Sequence, residues 1–331
     1  MTTPGPFGLA AVDPTLAAGL ATGMAGVELL LRDSVTSDYP FVHQTSRHLV
    51  DAGGKRFRPL MVLLASNLGD PSSPGVVPSA VVVELTHLAT LYHDDVMDDA
   101  DLRRGAPSAN ARWDNTVAIL TGDFLFAKAS ALLADLGPEA VRIQAHTFER
   151  LVTGQIKETL GPGGDDAVAH YLAVVADKTG SLIATSGRFG ALLSGAGDDV
   201  VEVMTRFGEA IGVAFQLADD VLDVTSDSEA SGKTPGTDLR EGVRTLPVLH
   251  ALASQDPSEA ELRHLLSQDL TDGDRHGRAL ALLRASPAMA AARSDLRRYA
   301  DAARAELAPL PSGPTKDALF AMCDQVVHRS R

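Results

Sequence analysis

The sequence predicts an all-α protein, a single-domain bundle of many helices. Three observations favour this fold class. Apolar residues recur with helical periodicity, alternating Val, Ile and Thr runs are scarce, and aromatic residues make up only 5% of the 331 residues. Breaks rich in glycine and proline separate the periodic segments, and none is long enough to be a clear domain linker. We therefore expect one domain over residues 1–331, with about residues 1–12 flexible.

Five segments carry the clearest helical pattern. The first is amphipathic, and the second is apolar around much of its circumference, which indicates a central, buried helix. The last is preceded by an acidic pair that favours a helix start. The predicted helices cover residues 14–35, 78–99, 115–136, 177–194 and 201–224.

The composition excludes several classes of function. The formal net charge is −14, with 43 acidic residues against 29 Lys and Arg, which argues against nucleic acid as the main partner. The single cysteine, Cys323, rules out an intrachain disulfide and a cysteine-based zinc site, and fits a reducing cytoplasm. The N-terminus does not read as a secretory signal, and the sequence indicates no stable membrane anchor. We expect a cytoplasmic protein.

Two aspartate clusters in the chain have nearly the same sequence, DDVMD at 94–98 and DDVLD at 219–223. Asp94 and Asp98 are spaced i, i+4 on a predicted helix, so both carboxylates lie on one face, and Asp219 and Asp223 repeat the spacing. Like charges on an apolar helix are costly without a counter-ion. Oxygen-only ligands favour a hard cation such as Mg²⁺, with phosphate oxygens and waters completing its coordination. The alternative is a pair of solvated acidic helix faces.

Cationic residues form a second set of candidates. The segment GGKRFRP at 53–59 places three cations beside a glycine pair, where the backbone can approach a phosphate closely, although the same pattern also suits an ordinary basic turn. Arg103 and Arg104 follow the first aspartate cluster and point in different directions. They can serve two phosphates, or pair in solvent with Asp99 or Asp101.

Isolated polar residues are weaker candidates. Thr179 and Gln216 are modest polar groups on apolar segments, where local hydrogen bonding is the usual role. Lys178 opens an apolar helix, and Lys233 lies in a glycine-containing loop that can bring it to a phosphate or simply expose it. His87 lies two turns before Asp94 on the same face, which permits either a core hydrogen bond or a diphosphate contact.

Taken together, these motifs resemble the trans-isoprenyl diphosphate synthases, also called polyprenyl synthetases. The resemblance spans about residues 14–330 and rests on motifs that occur in the family's order. They are GGKRFRP at 53–59, HLATLYHDDVMDDADLRRG at 87–105, GDFLFAKA at 122–129, KTGSL at 178–182, FQLADDVLDV at 215–224 and GKTPGTDLREGVRTLP at 232–247. The resemblance implies a helical bundle of the isoprenoid synthase type, normally a homodimer, with both aspartate motifs facing a central cavity.

The resemblance also implies the chemistry and the roles of the site residues. Isopentenyl diphosphate is added to an allylic diphosphate, with Mg²⁺ as the cofactor, expected as three ions per active site with substrate bound. The implied isopentenyl diphosphate ligands are Lys55, Arg58, His87 and Arg104; the allylic diphosphate ligands are Arg103, Lys178, Thr179, Gln216 and Lys233; the metal ligands are Asp94, Asp98 and Asp219, with Asp95, Asp220 and Asp223 nearby. No dedicated base is evident, and the released diphosphate is one acceptor for the proton that is lost.

Product length follows from packing in such an enzyme. The resemblance implies that the residues four and five before Asp94 help form the cavity floor, and here these are the small residues Thr90 and Ala89, with Leu85 and Thr86 one turn deeper. A small floor predicts a long all-trans product, heptaprenyl to decaprenyl, made from a farnesyl or geranylgeranyl primer. A quinone side chain is the expected use of such a product.

Three alternatives remain open at this stage. The first is a short-chain farnesyl or geranylgeranyl diphosphate synthase, although the segment HLATLYHDDVMD looks more like that of long-chain synthases. A class I terpene cyclase usually has a different second metal motif and does not need an isopentenyl diphosphate site. A non-catalytic subunit of a heteromeric synthase tends to lose one aspartate motif, whereas both are present here.

Overall fold

The computed structural model describes residues 13–226 and 235–329, and in these residues nearly all regular structure is helical. The predicted all-α fold class is therefore confirmed. The helices, in chain order, are α1 Pro14–Ser34, α2 Pro40–Asp51, α3 Phe57–Ser66, α4 Val76–Met97, α5 Ala109–Arg112, α6 Asn115–Leu136, α7 Pro138–Leu160, α8 Ala167–Val175, α9 Ser181–Leu193, α10 Asp198–Thr225, α11 Thr237–Arg240, α12 Leu246–Ala253, α13 Ala260–Leu266, α14 Gly273–Ala285, α15 Pro287–Glu306 and α16 Pro314–His328. A π-helical turn at Ala176–Gly180, a 3₁₀ turn at Pro257–Glu259 and two short strands, β1 Leu102–Arg103 and β2 Ala106–Pro107, complete the described elements.

Capping residues explain why the helices begin where they do. The Asp13 carboxylate accepts hydrogen bonds from the backbone N–H groups of Thr15 and Leu16, at 2.9 and 3.0 Å, and so starts α1. The Asp114 carboxylate accepts from the Val117 N–H at 2.8 Å and starts α6 in the same way. Each contact satisfies a donor that the first helical turn leaves free. The predicted helix over 115–136 is confirmed at both ends, because Gly137 follows it with a φ of 97°.

The α4 helix forms the core of its surroundings, as its apolar sequence predicts. Val81, Val82 and Leu85 have no exposed surface. Helix α6 approaches α4 closely because residue 122 is glycine. A Cβ atom at Gly122 would lie 2.4 Å from His93 Nε2 and 3.1 Å from the Ala89 carbonyl oxygen. A larger residue there would have to displace the His93 ring and would crowd the Ala89 carbonyl group, so glycine permits this close approach.

The predicted helix over 177–194 differs in detail from the structure. Helix α8 leads through the π-helical turn Ala176–Gly180 into α9, so Lys178 and Thr179 lie in the turn rather than at the start of α9. A π-helical turn inserts one extra residue into the helical path, and such turns occur frequently at functional sites. Periodicity alone does not reveal an insertion of this kind.

The chain folds into two compact units, each of which is built from more than one segment of the sequence. The first comprises residues 13–149, Leu182–Gly208 and Pro309–Leu319, and the second comprises the described parts of Arg150–Ser181, Glu209–Ala308 and Phe320–Arg331. The first unit carries the aspartate motif of α4, and the second carries the motif of α10. The single-domain organisation of the whole chain stays a prediction.

Two helices, Pro14–Ser34 and Asn115–Leu136, are long and apolar enough to cross a membrane, by length and composition alone. Core helices of soluble proteins pass the same test, so this is weak evidence. The absence of a stable membrane anchor stays a prediction.

Candidate active site

The first aspartate motif lies at the C-terminal end of α4. Asp94 is half-buried, and Asp98, the residue that caps the helix, is exposed. The Asp98 N–H donates to the Asp94 carbonyl oxygen at 2.8 Å, so the i, i+4 relation predicted for the two side chains holds through the cap. Asp95 is completely buried, and burial raises the pKa of its carboxyl group. Asp94 and Asp98 are therefore the two members of this motif that can offer oxygens to a cation from solvent.

A two-residue hairpin follows the motif and separates the two arginines. Strands β1 and β2 pair antiparallel, with Arg103 opposite Ala106. The loop residues Arg104 and Gly105 both have positive φ angles, 55° and 77°, as a type I′ turn requires. Arg103 Nε donates to Asp95 Oδ1 at 2.5 Å. The sequence offered Asp99 or Asp101 as a partner for the arginine pair, and the structure corrects this, because the hairpin turns Arg103 back toward α4.

Arg104 lies against the glycine pair that precedes α3. Its Nη1 donates to the Leu49 carbonyl oxygen at 3.0 Å and also to the Gly53 carbonyl oxygen. Gly54 has a φ of 147°, and a Cβ atom there would lie 2.8 Å from the Arg104 guanidinium carbon. Glycine at 54 suits the positive φ and leaves room for the Arg104 guanidinium, and the segment GGKRFRP and the hairpin form one cationic surface in the first unit.

A buried carboxylate anchors this cationic surface. Glu84 of α4 is 2% exposed, and its Oε1 accepts from Arg56 Nη1 at 2.8 Å, with Arg104 Nη2 3.8 Å away. Arg56 also pairs with Glu28 of α1 at 2.6 Å. Arg56 also donates to the carbonyl oxygens of Gly53 and Val50, at 3.3 and 3.2 Å, so its guanidinium is engaged in holding α1, α4 and the start of α3 together. Arg56, which the motif offered as one of three possible phosphate ligands, has a structural role here.

Arg58 and His87 are the groups of this surface that lack such anchors. The buried Arg58 Nε atom has no hydrogen-bond partner among the described residues. Burial, together with nearby Arg104, lowers the pKa of Arg58 to about 10. Burial and the surrounding arginines also hold the pKa of His87 well below its usual range, so that its imidazole is neutral. A half-buried arginine whose buried Nε has no partner among the described residues, beside several further cations, has the chemistry to bind an anion.

The second aspartate motif lies at the end of α10, in the second unit. Asp219 is half-buried, and its Oδ1 accepts from Arg329 Nη2 of the C-terminal region at 2.8 Å. The Arg329 guanidinium carbon lies 5.0 Å from the centroid of the Phe215 ring. The carboxylate that the resemblance assigns to a metal is thus neutralised by an arginine of the chain itself.

The two other aspartates of this motif are engaged by the protein. Asp220 is 1% exposed and accepts hydrogen bonds from the Tyr171 hydroxyl and from Gln216 Nε2, the latter at 3.1 Å. Burial raises the pKa of Asp220 to about 6. Asp223 accepts from the backbone N–H groups of Thr237 and Asp238, at 3.2 and 3.3 Å, and so caps α11. Asp219 is the member best placed to bind a cation.

Lys178 and Thr179 project from the π-helical turn. Lys178 Nζ donates to Glu158 Oε2 at 2.6 Å. The Thr179 hydroxyl donates to Gln216 Oε1 at 3.3 Å, which brings together two residues that the resemblance assigns to one substrate. In the same unit, Asp177 pairs with Arg150 at 3.2 Å and Lys157 at 2.8 Å. Although burial opposes it, these two cations hold the pKa of Asp177 below its usual range, and they fix the start of the turn.

The chain-length candidates lie on α4. Ala89 is fully buried, and Thr90 is half-buried, with its hydroxyl donating to the His87 carbonyl oxygen at 2.8 Å. One turn deeper, the buried Thr86 hydroxyl accepts from Gln144 Nε2 of α7 at 2.8 Å. The small residues predicted near the motif are thus followed by a buried polar pair.

Two lysines beside glycine residues, Lys55 and Lys233, are the last of the predicted site residues. Lys55 is exposed beside the glycine pair. Lys233 lies outside the described residues, so its predicted role stays a prediction. Among the described residues, no group of three or more His, Cys, Asp or Glu side chains is assembled for a metal ion. The donor set of the two motifs still fits Mg²⁺, because this ion usually takes one or two carboxylates and completes its sphere with waters and phosphates.

Sequence reasoning missed three residues of these surroundings. Glu84 carried a signal, since it is the only charged side chain in the apolar part of α4 before the aspartates. Tyr171 and Arg329 carried none, because their partners lie 49 and 110 residues away along the chain.

Comparison with known proteins agrees with this geometry. Residues 39–283 match the family model described as polyprenyl synthetase. The chain belongs to the polyprenyl synthetase family. The resemblance predicted from the motifs is therefore confirmed, and the chain is an enzyme of the prenyltransferase class.

Similar family members include long-chain and short-chain enzymes. Nonaprenyl diphosphate synthase of Mycobacterium tuberculosis is 51% identical over 96% of this chain and 95% of its own length. A geranylgeranyl pyrophosphate synthase from Corynebacterium glutamicum, crystallised with calcium and isoprenyl diphosphate, has a TM-score of 0.87 and 48% identity, and the match covers 96% of this chain and 98% of that one. A decaprenyl diphosphate synthase from Rhodobacter capsulatus has a TM-score of 0.85 and 36% identity, covering 96% and 99%.

Proposed function

We propose that this enzyme adds isopentenyl diphosphate repeatedly to a farnesyl or geranylgeranyl primer and releases a long all-trans polyprenyl diphosphate, heptaprenyl to decaprenyl. The observation that carries the proposal is the combination of two sets of groups. Carboxylates that can bind a cation end α4 and α10, and the unanchored groups Arg58 and His87 lie on a cationic surface beside α4. The similarity to nonaprenyl and decaprenyl synthases supports the long product.

The cationic surface of the first unit is the proposed site for the diphosphate of isopentenyl diphosphate. The buried Arg58 Nε has no hydrogen-bond partner in the described part of the chain, and neutral His87 can donate one ring N–H. Arg104 and Lys55 add positive charge. Glu84 and Glu28 balance Arg56, which leaves the positive charge of Arg58 for an incoming anion. Phosphate oxygens accept the free donors directly, so binding needs little rearrangement.

The aspartate motifs are the proposed magnesium ligands, with Asp94 and Asp98 on α4 and Asp219 on α10. When bound, Mg²⁺ stabilises the negative charge that develops on the departing diphosphate of the allylic substrate. Three ions per active site are part of the proposal. The C. glutamicum relative was crystallised with calcium, another hard cation, which supports this choice of ligand chemistry.

Side chains of the protein bind the allylic diphosphate and stabilise the cation in this proposal. Arg103, Lys178 and Lys233 are proposed to hold the allylic diphosphate, with Lys178 leaving Glu158 to do so. As the allylic carbon–oxygen bond breaks, the oxygen atoms of Thr179 and Gln216 face the developing cation and stabilise it by their dipoles. The double bond of isopentenyl diphosphate attacks that cation, and one proton is lost to the released diphosphate. Exclusion of water from these steps prevents capture of the cation as an alcohol.

The enzyme is proposed to act as a homodimer through the outer face of α6. Ile119 and Leu120 on this helix are 42% and 61% exposed, and only 33% of its most apolar stretch is buried in the chain. Adjacent large apolar side chains exposed on such a helix are the kind of surface that a second copy of the chain would cover. Sedimentation of the purified protein tests this point, and a monomer at micromolar concentration contradicts it. The cytoplasmic location stays a prediction.

A specific observation keeps one alternative in view. The similarity to a geranylgeranyl synthase at 48% identity favours a short product as the second candidate. Incubation with farnesyl diphosphate, excess isopentenyl diphosphate and Mg²⁺, followed by chromatography of the dephosphorylated products, separates the two. Heptaprenyl to decaprenyl alcohols support the proposal. Products that end at geranylgeraniol support the short-chain synthase instead.

A further inference from the structure

A chain of hydrogen bonds runs through the second unit from Tyr171 to Thr179. The Tyr171 hydroxyl donates to Asp220 Oδ2, and Gln216 Nε2 donates to Asp220 Oδ1 at 3.1 Å. Gln216 Oε1 then accepts from the Thr179 hydroxyl at 3.3 Å. The four residues come from α8, the π-helical turn and α10.

The direction of each hydrogen bond in this chain is fixed by chemistry. Asp220 also accepts from the backbone N–H of Leu246, a group that can only donate. As a carboxylate, Asp220 accepts from all three neighbours, so Gln216 must present its amide nitrogen to it. The amide oxygen of Gln216 then points to Thr179, and the Thr179 hydroxyl must donate its only proton to that oxygen.

We propose that Tyr171 is a positioning residue, which through Asp220 fixes the amide of Gln216 and thereby the direction of the Thr179 hydroxyl. This inference rests on the proposed function, in which Thr179 and Gln216 stabilise an allylic cation. With its proton committed to Gln216, Thr179 keeps its oxygen lone pairs for that cation. If the amide of Gln216 turned over, Thr179 would face an NH₂ group and turn its proton outward, which would oppose positive charge.

The burial of Asp220 gives this role to Tyr171 rather than to solvent. Asp220 is 1% exposed, so no water replaces a lost hydroxyl without rearrangement. Asp220 follows Asp219, the proposed metal ligand, but points into the protein. The second aspartate of this motif therefore acts as the anchor of the hydrogen-bond chain.

The Tyr171→Phe variant tests the proposal, because it removes the hydroxyl and keeps the ring. We expect kcat with farnesyl diphosphate and isopentenyl diphosphate to fall by about 10-fold, as for other partners that orient an active-site group. The KM for farnesyl diphosphate should stay within about twofold, since the diphosphate contacts are unchanged. An unchanged kcat overturns the proposal.

A double-mutant cycle separates positioning from a general structural effect. In a Gln216→Met background the amide is absent, so Tyr171→Phe should lower kcat by less than about twofold. Thr179→Val provides a second background in case Gln216→Met does not fold, and urea unfolding checks each variant. Equal fold-losses in the wild-type and variant backgrounds overturn the inference.

Tyr92→Phe is the matched control. Its hydroxyl is also buried, donating to the Thr45 carbonyl oxygen at 2.6 Å and accepting from the Leu49 N–H at 3.2 Å within the first unit. Its effects should combine independently with Gln216→Met, and coupling of similar size there would overturn the assignment to Tyr171. If the wild-type enzyme consumes no isopentenyl diphosphate, the proposed function fails. If the wild type is active and the cycle shows no coupling, only the positioning role fails.

Discussion

Glu84→Gln removes the negative charge on which the cationic surface of the first unit depends. Glu84 and Arg56 are 2% and 6% exposed at a separation of 2.8 Å, and breaking such a buried pair costs about 3–5 kcal/mol. Arg56 retains Glu28 at 2.6 Å, and glutamine retains an acceptor oxygen. We therefore expect the lower end, a loss of about 3 kcal/mol in the free energy of unfolding.

Urea unfolding followed by far-ultraviolet circular dichroism measures this loss. Inorganic diphosphate should stabilise Glu84→Gln more than the wild type, because the variant leaves one more uncompensated positive charge for the anion. Glu261→Gln is the control, since Glu261 and Arg278 pair at 2.8 Å but are 54% and 57% exposed. That change should lower the free energy of unfolding far less than Glu84→Gln does, because solvent screens the charges of an exposed pair. A loss in Glu84→Gln no greater than in the control would refute the reasoning.

Two further predictions concern the second unit. Arg329→Gln removes the cation that neutralises Asp219, so a divalent cation should bind about fivefold more tightly to this variant. The affinity is measured with Mn²⁺ in place of Mg²⁺ by electron paramagnetic resonance, and the control Arg298→Gln should leave it unchanged. Equal affinities in the wild type and Arg329→Gln would contradict this prediction. Asp220 has a pKa raised to about 6, so the folded state binds more protons than the unfolded state between about pH 4 and 6. The contribution of this group to the free energy of unfolding is therefore greatest at low pH and falls as the pH rises through that window. Asp220→Asn should therefore gain stability relative to the wild type as the pH rises from about 4 to 6, as measured by urea unfolding. A constant difference in stability between the two proteins across that range would show that Asp220 does not titrate as stated.

The sequence predicts the helices best where local signals bound them. The helix over 115–136 begins after the cap Asp114 and ends before Gly137, and both signals lie beside the apolar pattern. The π-helical turn at Ala176–Gly180 has no comparable signal, since one extra residue hardly disturbs an apolar periodicity. Residues that cap a helix can be recognised from the sequence, whereas small changes in helical pitch depend on tertiary packing.

In the candidate site, too, some residues can be predicted from the sequence and others cannot. The i, i+4 aspartates and the glycine-flanked cations could be chosen from spacing alone. Their partners could not, because the hairpin turns Arg103 toward Asp95 and the fold brings Glu84 to Arg56, 28 residues away. Which carboxylate is open to a cation and which is buried also follows only from tertiary packing, as Asp219 and Asp220 show.

The most direct test of the central claim is the rate at which isopentenyl diphosphate is incorporated by Asp94→Ala and Asp219→Ala at saturating Mg²⁺. If these carboxylates hold the metal ions that assist departure of the diphosphate, each variant should lose at least about 100-fold in kcat while its urea unfolding stays close to that of the wild type. Turnover near the wild-type rate in either folded variant would contradict the assignment of that motif to catalysis.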